Sequence, residues 1–263
     1  MTVATPTNAK HSATGAQPEG ASGEREASAR VREMFGSIAP RYDFLNHFLS
    51  GYMDWVWRRR VVARFQNILQ RPEARVLDLC CGTGDLTIAL SRGGRAKVIG
   101  SDYAHPMLVR AEEKSRKYSA SSIRSGNLAE YVEADALSLP YAANTFNLVT
   151  DSFGFRNLAN YERGFSEMFR VLRPGGEIAI LEFNEPTGAF FGGVFGFYMK
   201  RILPRLGRLI SGSKFAYSYL PTSVEKFPTP DDLIGKLSAA GFVNSTYELW
   251  TGGSVALYRA VKP

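Results

Sequence analysis

An apolar run that breaks into a glycine turn constrains this chain more than any other feature of its sequence. The run Val76–Leu79 is followed by two cysteines and then by the turn Gly82-Thr-Gly84. Glycine has no Cβ, so the backbone of such a turn can approach a ligand closely. Asp102 ends the next apolar run, about 20 residues beyond the first glycine, where an acid can accept hydrogen bonds from both hydroxyls of a ribose. The pattern predicts a pocket for an adenosine-containing cofactor.

The residues around the turn distinguish between two classes of such cofactors. The dinucleotide-binding pattern is G-x-G-x-x-G, and Thr87 occupies the position of its third glycine. Asp78 stands four residues before the first glycine, where a carboxylate would repel a pyrophosphate and attract an amino group. S-adenosylmethionine carries an amino group, a ribose and an adenine but no phosphate. The pattern therefore favours a methyltransferase over a nicotinamide-dependent dehydrogenase.

The bulk composition narrows the choice of class. With 263 residues, 44% hydrophobic and 22% charged, the chain is expected to form a packed core. The cysteines Cys80 and Cys81 are adjacent, which gives neither a disulfide framework nor a spaced zinc ligand set, and only three histidines are present. We therefore expect no metal, and a reducing, cytoplasmic compartment.

Apolar periodicity predicts strands that alternate with helices. Helices are predicted over 31–70 with a break at Pro40, and over 86–91, 106–118, 161–172 and 230–240; strands are predicted over 75–81, 97–102, 130–136, 146–153, 177–183, 242–250 and 254–261. The alternation implies an α/β fold, a doubly wound, mostly parallel seven-stranded sheet of the Rossmann-like kind. The glycine pair between the last two strands implies an antiparallel hairpin at the C-terminus.

Composition also divides the chain into segments. Residues 1–29 are rich in Ala, Ser, Thr and Gly and have no apolar segment, so we expect a disordered tail rather than a secretory signal. Residues 30–263 are expected to form a single methyltransferase domain, with a helical N-terminal segment over 30–70 and an aromatic-basic lid over 186–228. No run reaches the ~18 apolar residues of a membrane-spanning helix.

The lid carries much of the net charge of +7. From Pro186 to Val224 the sequence has no acidic residue, while five basic and eight aromatic residues are interspersed. Basic residues beside aromatic ones suit an anionic membrane surface or a nucleic acid. A lid helix with a solvated basic face is the alternative.

Five stretches carry a resemblance to a known family. They are Met34–Asn46, Cys81–Thr87, Ser152–Asn157, Arg170–Gly176 and Tyr217–Pro228. In these stretches the chain resembles the class I S-adenosylmethionine methyltransferases, and more closely the family that C-methylates the quinone precursors of menaquinone and ubiquinone. The second and fourth stretches occur in many methyltransferases, whereas the other three are more specific. Asp54 departs from the family pattern, which has a basic or amide residue there.

The resemblance implies a set of cofactor contacts at the predicted strand ends. The matching positions are Thr83, Asp102, Asp135, Ala136 and Ser152. Asp102 is expected to hold the ribose hydroxyls and Asp135 the adenine amino group, while the backbone of Gly82–Gly84 approaches the methionine moiety. For Asp78 two interpretations stay open: it orients the cofactor's amino group, or it bonds to nearby loop amides.

Methyl transfer to carbon sets further requirements. The acceptor carbon must lie in line with the S–CH₃ bond and be electron-rich, as it is in a quinol that has lost a hydroxyl proton. We therefore expect a reduced quinol acceptor and a general base or a water relay. The candidate residues are Tyr42, Asp43 and His47 in the N-terminal segment, with Arg156 and Asn157 after the fourth strand. Arg156 either stabilises a developing phenolate or pairs with a carboxylate.

The implied activity is transfer of a methyl group from S-adenosylmethionine to a ring carbon of a polyprenylated demethylmenaquinol, which gives menaquinol. A polyprenyl benzoquinol of ubiquinone biosynthesis is the alternative acceptor. The apolar tail of either acceptor favours a protein that is peripheral on the inner face of the cytoplasmic membrane. The sequence pI of 9.4 also fits an RNA methyltransferase, but the loop after the fourth strand lacks the prolines of base-amino methylation, so no nucleic acid partner is expected.

Overall fold

A computed structural model gives the fold of the chain. It describes residues 14–18, 20–120, 128–186 and 214–263, together with positions 192, 193, 196, 197 and 201. Most of the predicted lid lies outside the described residues. Among the described residues, no helix combines the length and the apolar character needed to cross a bilayer.

Seven strands form one sheet in the order β3-β2-β1-β4-β5-β7-β6. The strands are β1 Arg75–Leu79, β2 Lys97–Asp102, β3 Glu130–Glu133, β4 Phe146–Ser152, β5 Leu172–Phe183, β6 Val243–Trp250 and β7 Val255–Val261. Strands β1 to β5 are parallel, whereas β7 runs antiparallel to both β5 and β6. The predicted mostly parallel sheet with a C-terminal antiparallel hairpin is confirmed.

Nine α-helices have defined bounds in the described parts of the chain. They are α1 Glu24–Ile38, α2 Tyr42–Leu49, α3 Met53–Arg64, α4 Gln66–Leu69, α5 Asp85–Gly93, α6 His105–Ala120, α7 Tyr161–Val171, α8 Lys214–Lys226 and α9 Pro230–Ala239. Short 3₁₀ turns follow α1 at Ala39–Arg41, where Pro40 stands, and follow β4 at Phe155–Asn157. Strand β3 ends at Glu133, so Asp135 and Ala136 lie in a loop rather than in the predicted strand.

The N-terminal helix begins earlier than composition suggested. Helix α1 starts at Glu24, inside the segment expected to be a disordered tail, so the boundary at residue 29 is corrected. The amide and hydroxyl of Ser22 donate to the Glu26 carboxylate at 3.0 and 2.6 Å, and these bonds fix the start of the helix. Ala27, Met34 and Ile38 are buried. The hydrogen bonds and the burial together order a stretch that looked polar as a whole.

Apolar side chains are buried on both faces of the sheet. On one face, helices α7 and α9 pack over the β1 side chains Leu77 and Leu79. On the other face, helices α3, α4 and α5 pack over Val76. This two-sided burial is what a mainly parallel sheet requires. A smaller cluster joins Met34 and Ile38 of α1 to Met107 of α6, and it holds α1 beside the carboxyl ends of β1 and β2.

Candidate active site

A cavity opens at the carboxyl ends of the central strands, beside α1. Its place is where doubly wound sheets bind ligands. The predicted site residues that line it are Tyr42, Gly82, Asp102, Asp135, Ala136 and Asn157. The other predicted site residues, Asp43, Asp78, Thr83, Gly84, Ser152 and Arg156, do not line this cavity.

The two glycines of the turn have different surroundings. Both adopt left-handed backbone conformations, with φ of 55° at Gly82 and 82° at Gly84. Gly82 faces the cavity. A Cβ at Gly84 would lie 2.8 Å from the Tyr131 hydroxyl and 3.0 Å from the Ala111 Cβ. The second glycine therefore permits close packing behind the turn rather than contact with a ligand.

Asp102 is held rigidly at the end of β2. The Gly82 amide donates to its Oδ2 and the Ala104 amide to its Oδ1, both at 2.8 Å. Burial raises the pKa of Asp102, and these amides offset only part of that effect. A carboxylate offers about four lone-pair sites, so each oxygen keeps capacity for one further donor. The geometry suits acceptance from two neighbouring hydroxyls.

Asp135 and Ala136 form the cavity wall after β3. The Leu137 amide donates to Asp135 Oδ1 at 2.8 Å, which turns the loop back on itself. This single bond leaves acceptor capacity on a half-buried carboxylate next to the cavity. Asp135 is thus available to an amino group of a ligand.

Asp78 lies beneath the turn and is fully buried. The Thr87 hydroxyl donates to its Oδ2 and the Thr150 hydroxyl to its Oδ1, both at 2.6 Å. Burial outweighs these donors and raises the pKa of Asp78 to about 6. Its partners are hydroxyls on α5 and β4, rather than the loop amides that the sequence suggested. Thr87, the residue in place of the third glycine, is thereby tied to Asp78.

A polar link joins helix α2 to the turn. The Thr83 hydroxyl bonds to the carboxylate of Asp43, and Lys114 Nζ lies 2.8 Å from Asp43 Oδ2 and 3.1 Å from Thr83 Oγ1. Lys114 also pairs with Asp85 at the start of α5. Sequence reasoning missed Lys114, because a lysine within the run Glu112-Glu113-Lys114 resembles a solvated helix face.

His47 belongs to a second polar group beside this link. Its Nδ1 lies 2.7 Å from Asp54 Oδ2, and Arg58 Nη1 lies 2.5 Å from the same oxygen and 3.3 Å from Asp85. Burial raises the pKa of Asp54, but Arg58 and Ser50 more than reverse this and the net pKa is lowered. Ligand atoms of His47, Asp54 and Asp85 lie within 4.8 Å of one another. Arg58 pairs with both carboxylates and Lys114 pairs with Asp85, so the group is an ion-pair network.

The carboxylates of Asp151 and Glu182 hold the loop after β4 in place. Asp151 Oδ1 accepts from the amides of Gly154 and Phe155 at 3.1 and 2.8 Å. Phe153 adopts a left-handed φ of 63°. Arg156 Nη1 lies 2.7 Å from Glu182 Oε1, and the Arg156 amide donates to Glu182 Oε2 at 3.1 Å. Of the two roles expected for Arg156, pairing with a carboxylate is the one that these contacts display.

The ion pair between Arg156 and Glu182 is buried. The two side chains are 7% and 0% exposed. Burial lowers the pKa of Arg156, but Glu182 and the nearby tyrosines Tyr42 and Tyr219 together more than reverse this, so the guanidinium stays protonated. Its Nε donates to Ser223 Oγ of α8 at 3.3 Å. Arg156 lines a second cavity, of about 870 Å³, together with Tyr219 and Lys226.

Three buried polar atoms at the end of β4 and in this loop lack hydrogen-bond partners among the described residues. They are Asp151 Oδ2, Ser152 Oγ and Asn157 Oδ1. Buried polar groups are nearly always hydrogen-bonded, and Asn157 lines the cavity, so its amide oxygen indicates a polar ligand there. Together with Asp102 and Asp135, this acceptor fits a ligand that carries hydroxyls and an amino group, as an adenosyl group does.

Solved structures share this fold. The [4+2]-cyclase SpnF aligns with a TM-score of 0.66 and 18% identity, over 96% of this chain and 99% of that chain. A SAM-dependent methyltransferase from Aquifex aeolicus aligns with a TM-score of 0.56 and 19% identity, over 78% of this chain and 89% of that chain. The sheet order and the position of the cavity define the class I S-adenosylmethionine-dependent methyltransferase fold.

Sequence relatives identify the family more narrowly than the solved structures do. The demethylmenaquinone methyltransferase of Thermus thermophilus is 46% identical over 231 residues, which is 88% of this chain and 100% of that protein. The corresponding Deinococcus radiodurans protein is 42% identical over 89% of this chain and 93% of its own length. The ubiquinone/menaquinone biosynthesis C-methyltransferase UbiE of Stutzerimonas stutzeri is 37% identical over 91% of both chains. The profile of the ubiE/COQ5 methyltransferase family matches residues 24–262, and the chain belongs to that family.

Proposed function

We propose that this chain transfers the methyl group of S-adenosylmethionine to a ring carbon of a polyprenylated demethylmenaquinol, giving menaquinol. The observation that carries the choice of acceptor is the 46% identity over the full length of a protein named for that acceptor. The polyprenyl benzoquinol of ubiquinone biosynthesis is the second candidate, because the UbiE relative is 37% identical.

The proposed donor site uses residues that face the cavity. Asp102 would accept from the ribose hydroxyls and Asp135 from the adenine amino group, while Gly82 lets the backbone approach the methionine moiety. The bound donor supplies a methyl group already activated on a sulfonium. Thr83, Gly84 and Asp78 would support the turn without touching the donor, since their contacts are within the protein.

The proposed acceptor side lies opposite, at the loop after β4. Tyr42 and Asn157 line the cavity, where a quinol hydroxyl would meet the Asn157 carbonyl oxygen. Burial raises the pKa of Tyr42, so its hydroxyl serves as a donor at neutral pH. Arg156, paired with Glu182, would hold the loop that presents Asn157 to the acceptor. Asp43 positions the turn through Thr83 and Lys114.

The acceptor's apolar tail places the proposed reaction at a bilayer. We infer a cytoplasmic protein that binds the inner face of the cytoplasmic membrane peripherally. Exposed aromatic side chains near cationic ones, such as Trp55 beside Arg59, support this inference.

An isotope-transfer assay tests the proposal. Purified protein is incubated with S-adenosylmethionine bearing a deuterated methyl group and, in parallel, with reduced demethylmenaquinone, a reduced demethylated benzoquinone or total RNA. Mass spectrometry is expected to find the label on the naphthoquinol ring. Label on the benzoquinol alone would assign the enzyme to ubiquinone biosynthesis. Label on RNA alone would refute the quinol proposal. The oxidised quinone is the control, because it lacks the hydroxyl that activates the ring.

A further inference from the structure

A third open space lies away from the proposed active site, on the outer side of helices α3 and α5. This α3–α5 groove is bounded by Trp55, Arg59, Arg92 and Tyr118, with Val62 and Ile88 among the residues of its floor. It lies on the sheet face that these helices cover, and the methyl-transfer site does not use it.

The groove carries uncompensated positive charge. Its one acidic lining residue is Asp85, which already pairs with Arg58 and Lys114. Arg59 and Arg92 have no carboxylate partner among the described residues, and the guanidinium of Arg92 stacks 5.4 Å from the centroid of the Tyr118 ring. Two cations at the rim of an apolar floor would attract an amphipathic anion.

Two aromatic side chains that line the groove are exposed. Trp55 is 57% exposed and Tyr118 is 40% exposed. Tryptophan and tyrosine beside arginine are the side chains that amphipathic surfaces place at the boundary between lipid headgroups and acyl chains. The apolar side chains of Val62 and Ile88 in the groove favour acyl chains over a nucleic acid strand, which would require a longer track of cations.

We propose that the α3–α5 groove docks the protein on an anionic phospholipid surface. Headgroup phosphate oxygens pair with Arg59 and Arg92, and Trp55 inserts at the level of the headgroups. The proposal deepens the proposed function, because it names the surface by which the protein reaches a bilayer-bound acceptor. The groove itself is argued from charge and exposure, independently of the methyl-transfer site.

The tryptophans make this proposal directly measurable. The chain has three, of which Trp57 is 4% and Trp250 is 8% exposed, so Trp55 dominates any response of the emission to a surface ligand. Vesicles of phosphatidylglycerol are expected to shift the emission to shorter wavelength, and brominated acyl chains to quench it. Vesicles of phosphatidylcholine are expected to do neither. Trp55→Phe should abolish the response while leaving vesicle co-sedimentation largely intact.

Charge reversal tests the headgroup contact. Arg59→Glu with Arg92→Glu is expected to weaken co-sedimentation with phosphatidylglycerol vesicles by at least about tenfold, which corresponds to ~1.4 kcal/mol. The matched control is Lys97→Glu with Arg173→Glu, two exposed positions at the starts of β2 and β5, which should bind like the wild type. Circular dichroism verifies that each variant is folded.

Several results would overturn the proposal. They are vesicle binding without quenching of Trp55, equal loss in the control variant, saturation by glycerol phosphate alone at the same affinity, and an emission response to single-stranded RNA but not to vesicles. The vesicles contain no quinone, so a negative methyl-transfer assay does not affect this test. The Arg59/Arg92 variant should still methylate a tail-less, water-soluble quinol as the wild type does if the proposed function holds.

Discussion

The donor side of the cavity and the loop after β4 use charge in opposite ways. Asp102 is oriented by two backbone amides and keeps acceptor capacity toward the cavity. Arg156 is paired with Glu182 and borders a different cavity. The donor side thus presents charge to a ligand, whereas the loop after β4 uses its charge to hold its own shape.

This difference separates two roles of charged residues that the sequence did not distinguish, ligand binding and support of a loop. A guanidinium that stays protonated and is bonded to a carboxylate is a poor proton acceptor, so Arg156 is a positioning and electrostatic residue rather than a general base. Asn157 and Tyr42 are the groups of the acceptor side that reach the cavity. Removal of a charge from the Arg156–Glu182 pair should therefore lower the stability of the fold, whereas removal of the charge of Asp102 should weaken ligand binding.

The largest expected effect comes from the Arg156–Glu182 pair. Arg156→Met and Glu182→Gln should each lower the free energy of unfolding by about 3–5 kcal/mol, because either change leaves a buried charge or polar group without its partner. Denaturation with urea measures this loss, and the double variant should lose less than the sum of the two.

An exposed ion pair is the control for this prediction. Arg163 pairs with Glu24, and the two side chains are 53% and 38% exposed, so Arg163→Met should change the free energy of unfolding by less than about 1 kcal/mol. If Arg156→Met is as stable as the control, the loop does not depend on the buried pair for its structure.

Asp78 lies between the two regions, since it bonds to Thr87 on one side and to Thr150 on the other. Its pKa of about 6 lies above the ordinary 3.8, so the folded state binds this proton more tightly than the unfolded state. The stabilisation is complete below about pH 4 and is lost as the pH rises through about 6, with a total of about 3 kcal/mol. Asp78→Asn should flatten the free energy of unfolding between about pH 4 and 7 relative to the wild type. An unchanged slope would mean that Asp78 is ionised throughout.

A smaller effect is expected at Asp102, and it concerns binding rather than folding. Asp102→Asn removes the charge and one of the two acceptor oxygens, which should weaken binding of S-adenosylmethionine by about 10- to 100-fold, or about 1.5–3 kcal/mol. Isothermal titration calorimetry measures the affinity. Glu130→Gln, an exposed residue at the start of β3, is the matched control. Unchanged affinity in Asp102→Asn would remove Asp102 from the proposed donor site.

The seven strands and the glycine turn could be predicted from sequence because they depend on local properties. Apolar periodicity marks each strand, and the positive φ of Gly82 and Gly84 favours glycine. Two strand ends were predicted wrongly, since β3 stops at Glu133 and β5 begins at Leu172 rather than at Glu177. The partner of Arg156 could not be predicted in the same way, because Glu182 lies 26 residues further along, in β5. An acid within the apolar strand Ile178–Phe183 is the signal that could have found it. Lys114 gave no such signal, since only tertiary contact joins it to Asp43.

The short stretch before α1 has a practical consequence. The Tyr161 amide donates to the carbonyl of Thr14, and the Ala16 amide donates to the carbonyl of Leu158, both at 2.7 Å. Between these bonds a Cβ at Gly15 would lie 2.0 Å from the carbonyl oxygen of Ala159. A recombinant version shortened to Glu24 would leave the Tyr161 amide and the Leu158 carbonyl facing water, and an affinity tag fused at Gly15 would collide with the chain that leads into α7. Purification handles therefore belong upstream of Thr14 or at the opposite end.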